Sequence, residues 1–400
     1  MKELILKNKL NDNMILPNFG KFSLLNIANW FLYNYNLNTF YEPYPISDIK
    51  KDHIVVFLVD ALNYNTLEKI LLNRKKDFKF LNQMDLKMAT SVFPSTTSNA
   101  LTTLLTGRSA LEHGVCGFHL LLKEAGALIN CINFNPAKFN NMNFYNNCCD
   151  NLLTVKTLSE IFNSNGIIPF SFTHNTIANS GLSKIHNKNG NVRGYKTTIE
   201  LMFNLLEHLD THINNKTFNF VYYGLVDSNG HKYGTSHYYE LEAENYLHCI
   251  ENYFLKNISE KVLKNTHILI VSDHGMIETP KEYENHIFPD DEIGSQLFFP
   301  PGGEMRMMYF YGINDKNKFI NTFYNKFGDT FLFFDKNELL DKKIFLPSKN
   351  IKNYERIGDL TLISKNTSSF VYKLTGTEPY LKGKHGALSE EEMLIPLLHI

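Results

Sequence analysis

Four apolar runs mark the chain: "HIVVFLVD" (53–60), "GIIPFSF" (166–172), "FNFVYYGLVD" (218–227) and "THILIVSD" (266–273). Each is continuous rather than alternating, the pattern of a short strand buried on both faces. Between them the period lengthens. "TTIELMFNLLEHL" (197–209) repeats at helical spacing. So does the stretch from about Tyr238 to Ile258, where Ala243, Leu247, Ile250, Phe254 and Ile258 share one face. Strands alternating with helices predict an α/β fold, a three-layer αβα sandwich around a mostly parallel central sheet. Earlier, "FSLLNIANWFLYNYNL" sets Leu24, Leu25, Ala28, Phe31 and Leu32 at helical spacing with asparagines between them. It predicts an amphipathic surface helix, too short and too polar to span a bilayer.

The texture changes between residues 286 and 350. "FFPPGGE" is a turn cluster, "MRMMYFYG" predicts a strand, "KNKFINTFYNKFG" a helix and "TFLFFD" another strand. This predicts a small α/β cap inserted into one domain that runs over residues 1–400.

Composition narrows the function. Charged residues are 20% of the 400, and the formal net charge is −1. That balance argues against a nucleic-acid surface and leaves a small phosphorylated substrate open. The five cysteines, Cys116, Cys131, Cys148, Cys149 and Cys249, contain no CxxC pair. An odd count without metal-type spacing fits a reducing compartment. "MKELILKNKLNDNMILPNFG" has no apolar core of a secretory signal. The expectation is a cytoplasmic protein without membrane association.

The candidate chemistry begins at "VFPSTTSNALTTLLTG" (92–107), where Ser95, Thr96, Thr97 and Ser98 precede a helical pattern carrying Leu101, Leu104 and Leu105. Hydroxyls at a helix start are ordinary caps. A helix start also offers unpaired N–H groups to phosphate, where an alcohol can serve as a nucleophile. Three apolar runs end in Asp60, Asp227 and Asp273. Strand ends share one edge of a parallel sheet, where ligands bind. His231 lies four residues after Asp227 in "DSNGH", His274 follows Asp273 in "SDHG", and His385 sits between glycines in "GKHG". Three Asp and three His make two mixed N/O ligand sets, each suited to zinc or a similar ion. Two such ions about 3.5–4 Å apart form a clamp for in-line displacement at phosphorus.

In this order the motifs resemble the alkaline phosphatase superfamily, on its type I phosphodiesterase/nucleotide pyrophosphatase branch, from about Val55 to Pro396. The resemblance implies an alkaline-phosphatase-like catalytic domain that cleaves phosphodiester or pyrophosphate bonds of a nucleotide or another phosphodiester. It implies that Thr97, four residues after Phe93, is the nucleophile and becomes a phosphothreonine. It implies two divalent ions, zinc in the first instance, with manganese accepted by the same ligand types. Asp227, His231 and His385 would hold one ion. Asp60, Asp273 and His274 would hold the other, with the Thr97 oxygen as its remaining ligand. Ser95, Thr96 and Ser98 are then expected to be caps and turn hydroxyls.

One departure bears on specificity. The branch places an Asn about 21 residues past the nucleophile to contact the phosphoryl oxygen. Here that position is Phe118, followed by His119. Two alternatives follow within and outside the class: a phosphomonoesterase or phosphonate hydrolase using the same site, or a non-catalytic, partner-dependent member. The retained ligands and hydroxyl favour the enzyme. The 120–150 loop and the 286–350 cap are expected to supply the pocket.

Overall fold

A computed structural model describes residues 2–137 and 152–400; Cys148 and Cys149 lie outside them. The central sheet takes its strands from β1 (His53–Val59), β2 (Asp85–Thr90), β3 (Ile167–His174), β4 (Asn191–Tyr195), β5 (Lys216–Tyr223), β6 (Thr266–Val271) and β7 (Leu394–His399). Their spatial order is β2-β7-β6-β1-β5-β3-β4. The pairs β6/β1, β1/β5, β5/β3 and β3/β4 are parallel, and β7 runs antiparallel to both its neighbours. Side chains of β1 divide cleanly between two cores, as the two-residue period requires. Val55, Phe57 and Val59 pack with Leu67, Leu201, Leu205, Tyr246 and Leu247. Ile54, Val56 and Leu58 pack with Ile27, Phe31, Leu101, Leu104 and Leu158. Helices therefore cover both faces, which is why the strand sequences are apolar without alternation.

The helix Leu24–Asn34 departs from expectation. It is buried on nearly every side, Asn26, Asn29 and Asn34 included. Its asparagines do not face water; they bond the backbones of adjoining loops. Asn29 Nδ2 donates to the Gly107 carbonyl (3.1 Å), and Asn29 Oδ1 accepts the N–H groups of Phe40 (2.7 Å) and Tyr41 (3.0 Å). Buried amides fully engaged in this way are tolerated where unpaired ones are not.

A second sheet is antiparallel throughout. Its order is Phe331–Phe334, Leu360–Ser364, Met307–Phe310, Gly302–Glu304, His119–Leu122, Ala127–Asn130 and Asn135–Pro136. The helix Lys316–Phe327 lays Phe319 and Phe323 on it, against Phe310 and Leu362. The segment expected as a cap thus shares one sheet with a hairpin from before residue 137 and a strand after residue 359.

Candidate metal centre and pocket

Register brings the acidic residues together. Val59 lies opposite Tyr223, and Leu58 opposite Val271, so β1, β5 and β6 finish at one edge. Asp60 follows β1 directly, and Asp273 follows β6 after Ser272. Asp227 does not end a strand. Strand β5 stops at Tyr223, Gly224 caps a new helix, Leu225–Tyr233, and Asp227 sits in that helix's first turn. His231 is one turn further along the same face.

Asp60 and Asp273 are each half satisfied. Tyr222 donates to Asp60 Oδ2, while the N–H groups of Ala61 (3.2 Å) and His274 (3.0 Å) donate to Asp273 Oδ1. Among the described residues, the buried oxygens Asp60 Oδ1, Asp227 Oδ1 and Asp273 Oδ2 have no hydrogen-bond partner. The histidines are half satisfied too. Nδ1 of His231, His274 and His385 contacts the carbonyl oxygens of Gly383 (2.9 Å), Gly275 (2.9 Å) and Ser95 (3.1 Å). A carbonyl only accepts, so Nδ1 carries the proton and the Nε2 lone pair is left over.

Those leftover atoms converge. His274 Nε2 is 3.4 Å from Asp60 Oδ1 and 3.6 Å from Asp273 Oδ2. Asp227 Oδ1 is 3.3 Å from His231 Nε2 and 3.8 Å from His385 Nε2. Two groups have ligand atoms within 4.8 Å of one another: Asp60, Asp273 and His274, and Asp227, His274 and His385. His274 is thus shared, and His231 adjoins the second group through Asp227. Burial, followed by the neighbouring carboxylates, holds Asp60 well above the usual carboxylate range; burial also lifts Asp273, to about 7. Burial, then His274 and His231, drives His385 well below the usual imidazole range. Buried acceptors without donors call for cations; the donor set fits a divalent ion of the zinc type.

The hydroxyl-rich segment follows β2. Thr97 opens the helix Thr97–Thr106, and its Oγ1 is 3.2 Å from His274 Nε2. Of the four adjacent hydroxyl residues it alone is not fully buried. The others do not cap the helix. Thr96 holds the cap position without a side-chain cap bond and donates instead to Glu304. Ser95 Oγ donates to the Ala387 carbonyl (2.7 Å) and accepts the Gly386 N–H (3.2 Å), and so anchors the loop bearing His385. Ser98 Oγ is buried without a partner. The first N–H groups of the helix are therefore left for a bound anion.

The flanking glycines have steric reasons. A Cβ at Gly275 would lie 1.9 Å from the Glu391 carbonyl oxygen. Gly386 has φ +121, and a Cβ there would lie 2.7 Å from Glu304 Cβ. Glu304 itself escaped the sequence reading. Its carboxyl is enclosed and held up to about 8, chiefly by burial. Only the paired glycines before it hinted at a close approach.

A cavity of about 480 Å³ opens on Asp60, Thr97, Asp227, His231, His385 and Glu304. Phe118 and His119 lie on its wall with ring centroids 4.4 Å apart, so the position expected to hold Asn presents an aromatic ring.

Comparisons with known proteins agree with this geometry. A search of curated protein sequences returns no match. The fold resembles murine ectonucleotide pyrophosphatase/phosphodiesterase 5 at TM-score 0.63 and 16% identity, over 88% of each chain. The human protein of the same name gives 0.61 and 16%, over 88% of this chain and 87% of that one. Phosphonoacetate hydrolase from Sinorhizobium meliloti 1021, in complex with phosphonoformate, gives 0.60 and 16%, over 87% and 89%. Residues 54–388 match the family described as Type I phosphodiesterase / nucleotide pyrophosphatase, so the chain belongs to that family of hydrolases within the alkaline phosphatase superfamily.

Proposed function

We propose that the protein is a metal-dependent phosphodiesterase/nucleotide pyrophosphatase that works through a phosphothreonine at Thr97. One observation carries the reading: three orphaned carboxylate oxygens and three histidine Nε2 atoms gather at one sheet edge, and one of them, His274 Nε2, is 3.2 Å from the Thr97 hydroxyl at a helix start. Asp227, His231 and His385 would hold one divalent ion; Asp60, Asp273 and His274 would hold a second, with Thr97 Oγ1. Zinc suits these ligands best, with manganese the alternative. When bound, such ions lower the pKa of a coordinated hydroxyl and neutralise charge on phosphoryl oxygens.

The chain's own residues do the rest. Thr97 Oγ1 attacks phosphorus in line and expels the ester or anhydride oxygen. N–H groups of the helix start donate to the non-bridging oxygens. Water then attacks the phosphothreonine from the side the leaving group vacated. Two inversions give net retention at phosphorus. Pro300–Glu304 line the cavity, which supports a role for the 286–350 cap in substrate choice. A cytoplasmic location, from the cysteine pattern, belongs to the same proposal.

Phosphonate and monoester hydrolysis use the same site, and the Phe118 wall removes the diester-type amide contact. The test is a side-by-side rate comparison of a chromogenic diester, a monoester, a nucleotide and a phosphonate, with zinc or manganese added to metal-free protein. The diester or nucleotide is expected to lead. Full activity without metal, or inversion with a chiral thiophosphate, overturns the reading; protein that binds about two ions per chain and turns over nothing is the non-catalytic member.

A further inference from the structure

An acid beside a phosphate site repels the ligand unless a cation or a proton neutralises it. Asp60, Asp227 and Asp273 belong to the two groups whose ligand atoms converge. Glu304 belongs to neither, although it lines the same cavity.

Two contacts fix its carboxyl. Thr96, the neighbour of Thr97, donates to Oε1. Gly386, the neighbour of His385, packs so close that a Cβ there would lie 2.7 Å from Glu304 Cβ. The side chain is thus tied on one side to the residue before Thr97 and on the other to the loop bearing His385. Thr96 engages only Oε1, which leaves Oε2 to meet a ligand.

Strand register supplies the reason for an acid here. The strand Gly302–Glu304 runs antiparallel to His119–Leu122, with Gly303 opposite His119. One residue further, Glu304 comes level with Phe118, and cross-strand neighbours present their side chains on one face. Both line the cavity. Phe118 stands where the family resemblance calls for a phosphate-binding Asn, and its ring offers no comparable donor. The polar group lost from one strand is matched by a carboxyl on the next.

A carboxyl can stand in for an amide donor when it keeps its proton. Burial, opposed by the Thr96 hydrogen bond and aided by the Asp227 charge, holds Glu304 up to about 8. With Oε1 accepting from Thr96, the proton belongs on Oε2.

We propose that Glu304 is a catalytic residue that takes over from the missing amide: its Oε2–H donates a hydrogen bond to a non-bridging phosphoryl oxygen while Thr97 attacks. Glu304 keeps its proton throughout. This rests on the phosphothreonine reading and adds one residue to it.

The test uses zinc-loaded protein and bis(p-nitrophenyl) phosphate. Glu304→Ala should lower kcat by about 10²-fold, with KM changed less than about threefold. Glu304→Gln, whose amide donates from the same place, should stay within about tenfold of the parent. Phe118→Asn added to Glu304→Ala should recover at least about tenfold of the loss. Zinc content should be equal in all of them. Calorimetric binding of orthovanadate reads the contact without turnover, and should weaken about tenfold in Glu304→Ala and hold in Glu304→Gln. Parental rates and vanadate affinity in Glu304→Ala overturn the proposal and leave the phosphodiesterase reading intact. Glu304→Gln as slow as Glu304→Ala overturns it too, because the carboxyl would then act as a charge or a base. So does loss of zinc from Glu304→Ala, which would make the residue a brace for the ligands. A parent that turns over no diester, with vanadate binding that still follows the donor series, keeps the contact and refutes the phosphodiesterase reading.

Discussion

Thr97 Oγ1 lies 3.2 Å from His274 Nε2, whereas the hydroxyl of Thr96 turns away to Glu304, so the same truncation has different consequences at the two positions. Thr97→Ala removes the attacking oxygen and should lower the rate by about 10³-fold or more. Thr97→Ser should keep part of the activity. Thr96→Ala takes one donor from the half-buried Glu304 carboxyl, which costs about 1 kcal/mol of stability, with a rate loss under about tenfold. Steady-state rates and denaturation on the three variants check this; a dead Thr96→Ala beside an active Thr97→Ala would move the nucleophile by one residue. The carboxyls themselves give a pH dependence. Asp60 and Asp273 are raised by burial, Asp273 to about 7. A raised carboxyl stabilises the metal-free fold, relative to ionised acids, below the ordinary value near 4. That contribution is lost as pH rises through about 7. A bound cation pairs with the ionised forms and offsets the loss. The difference in melting temperature between metal-loaded and metal-free protein should therefore widen from about pH 5 to pH 8. A constant difference would contradict the cation assignment.

At the scale of elements, the legible features were those set by local pattern. The strands β1, β5 and β6 announce themselves because burial on both faces makes them continuously apolar, and the acids beyond two of them follow. The sequence pattern puts Asp227 at a strand end because "YYGLVD" stays apolar across Gly224, where strand gives way to helix. Hydrophobicity does not distinguish the last turn of one element from the first of the next. Glu304 has no local signal beyond the two glycines before it: its partner Thr96 is 208 residues away in the chain. The helix Leu24–Asn34 failed for the opposite reason. Its apolar period was right, but asparagine at helical spacing reads as a wet face unless the loops that bond it are known. Asn29→Leu tests that account. It strands the N–H groups of Phe40 and Tyr41, and should cost about 2–4 kcal/mol in chemical denaturation. A surface asparagine would cost no more than about 0.5 kcal/mol.

Across the whole molecule, one buried ion pair ties the second sheet to the loops that carry the candidate ligands. Arg306, between the strands Gly302–Glu304 and Met307–Phe310, meets Glu392 through Nε–Oε1 at 3.2 Å and Nη2–Oε2 at 2.8 Å. The Glu392 carboxylate also accepts the Ala387 N–H (2.9 Å), and its carbonyl accepts the Gly275 N–H (2.8 Å). Those residues lie beside His385 and His274. Arg306→Met leaves a charge buried and unpaired, which should cost about 3–5 kcal/mol. Arg306→Met with Glu392→Leu should recover much of that stability. Metal content should fall in both, because the loops lose their brace. Denaturation and metal analysis separate the two effects, and unchanged metal content in the double variant would reduce the pair to a purely structural tie.

The place of β7 in the central sheet reaches beyond equilibrium. It lies between β2 and β6, although it follows every other strand in the chain. Among the described residues strand β2 has no other ladder neighbour in that sheet, and the segment from Ser91 to Thr97 hangs from its end. Until residues 394–399 emerge during synthesis, the segment bearing Thr97 has no sheet to hang from, and a strand-wide gap stays open beside β6. Such long-range pairings form late and leave edges exposed meanwhile. Nascent chains arrested before residue 394 should therefore be cut readily by protease within 85–106, and chains released past residue 400 should resist.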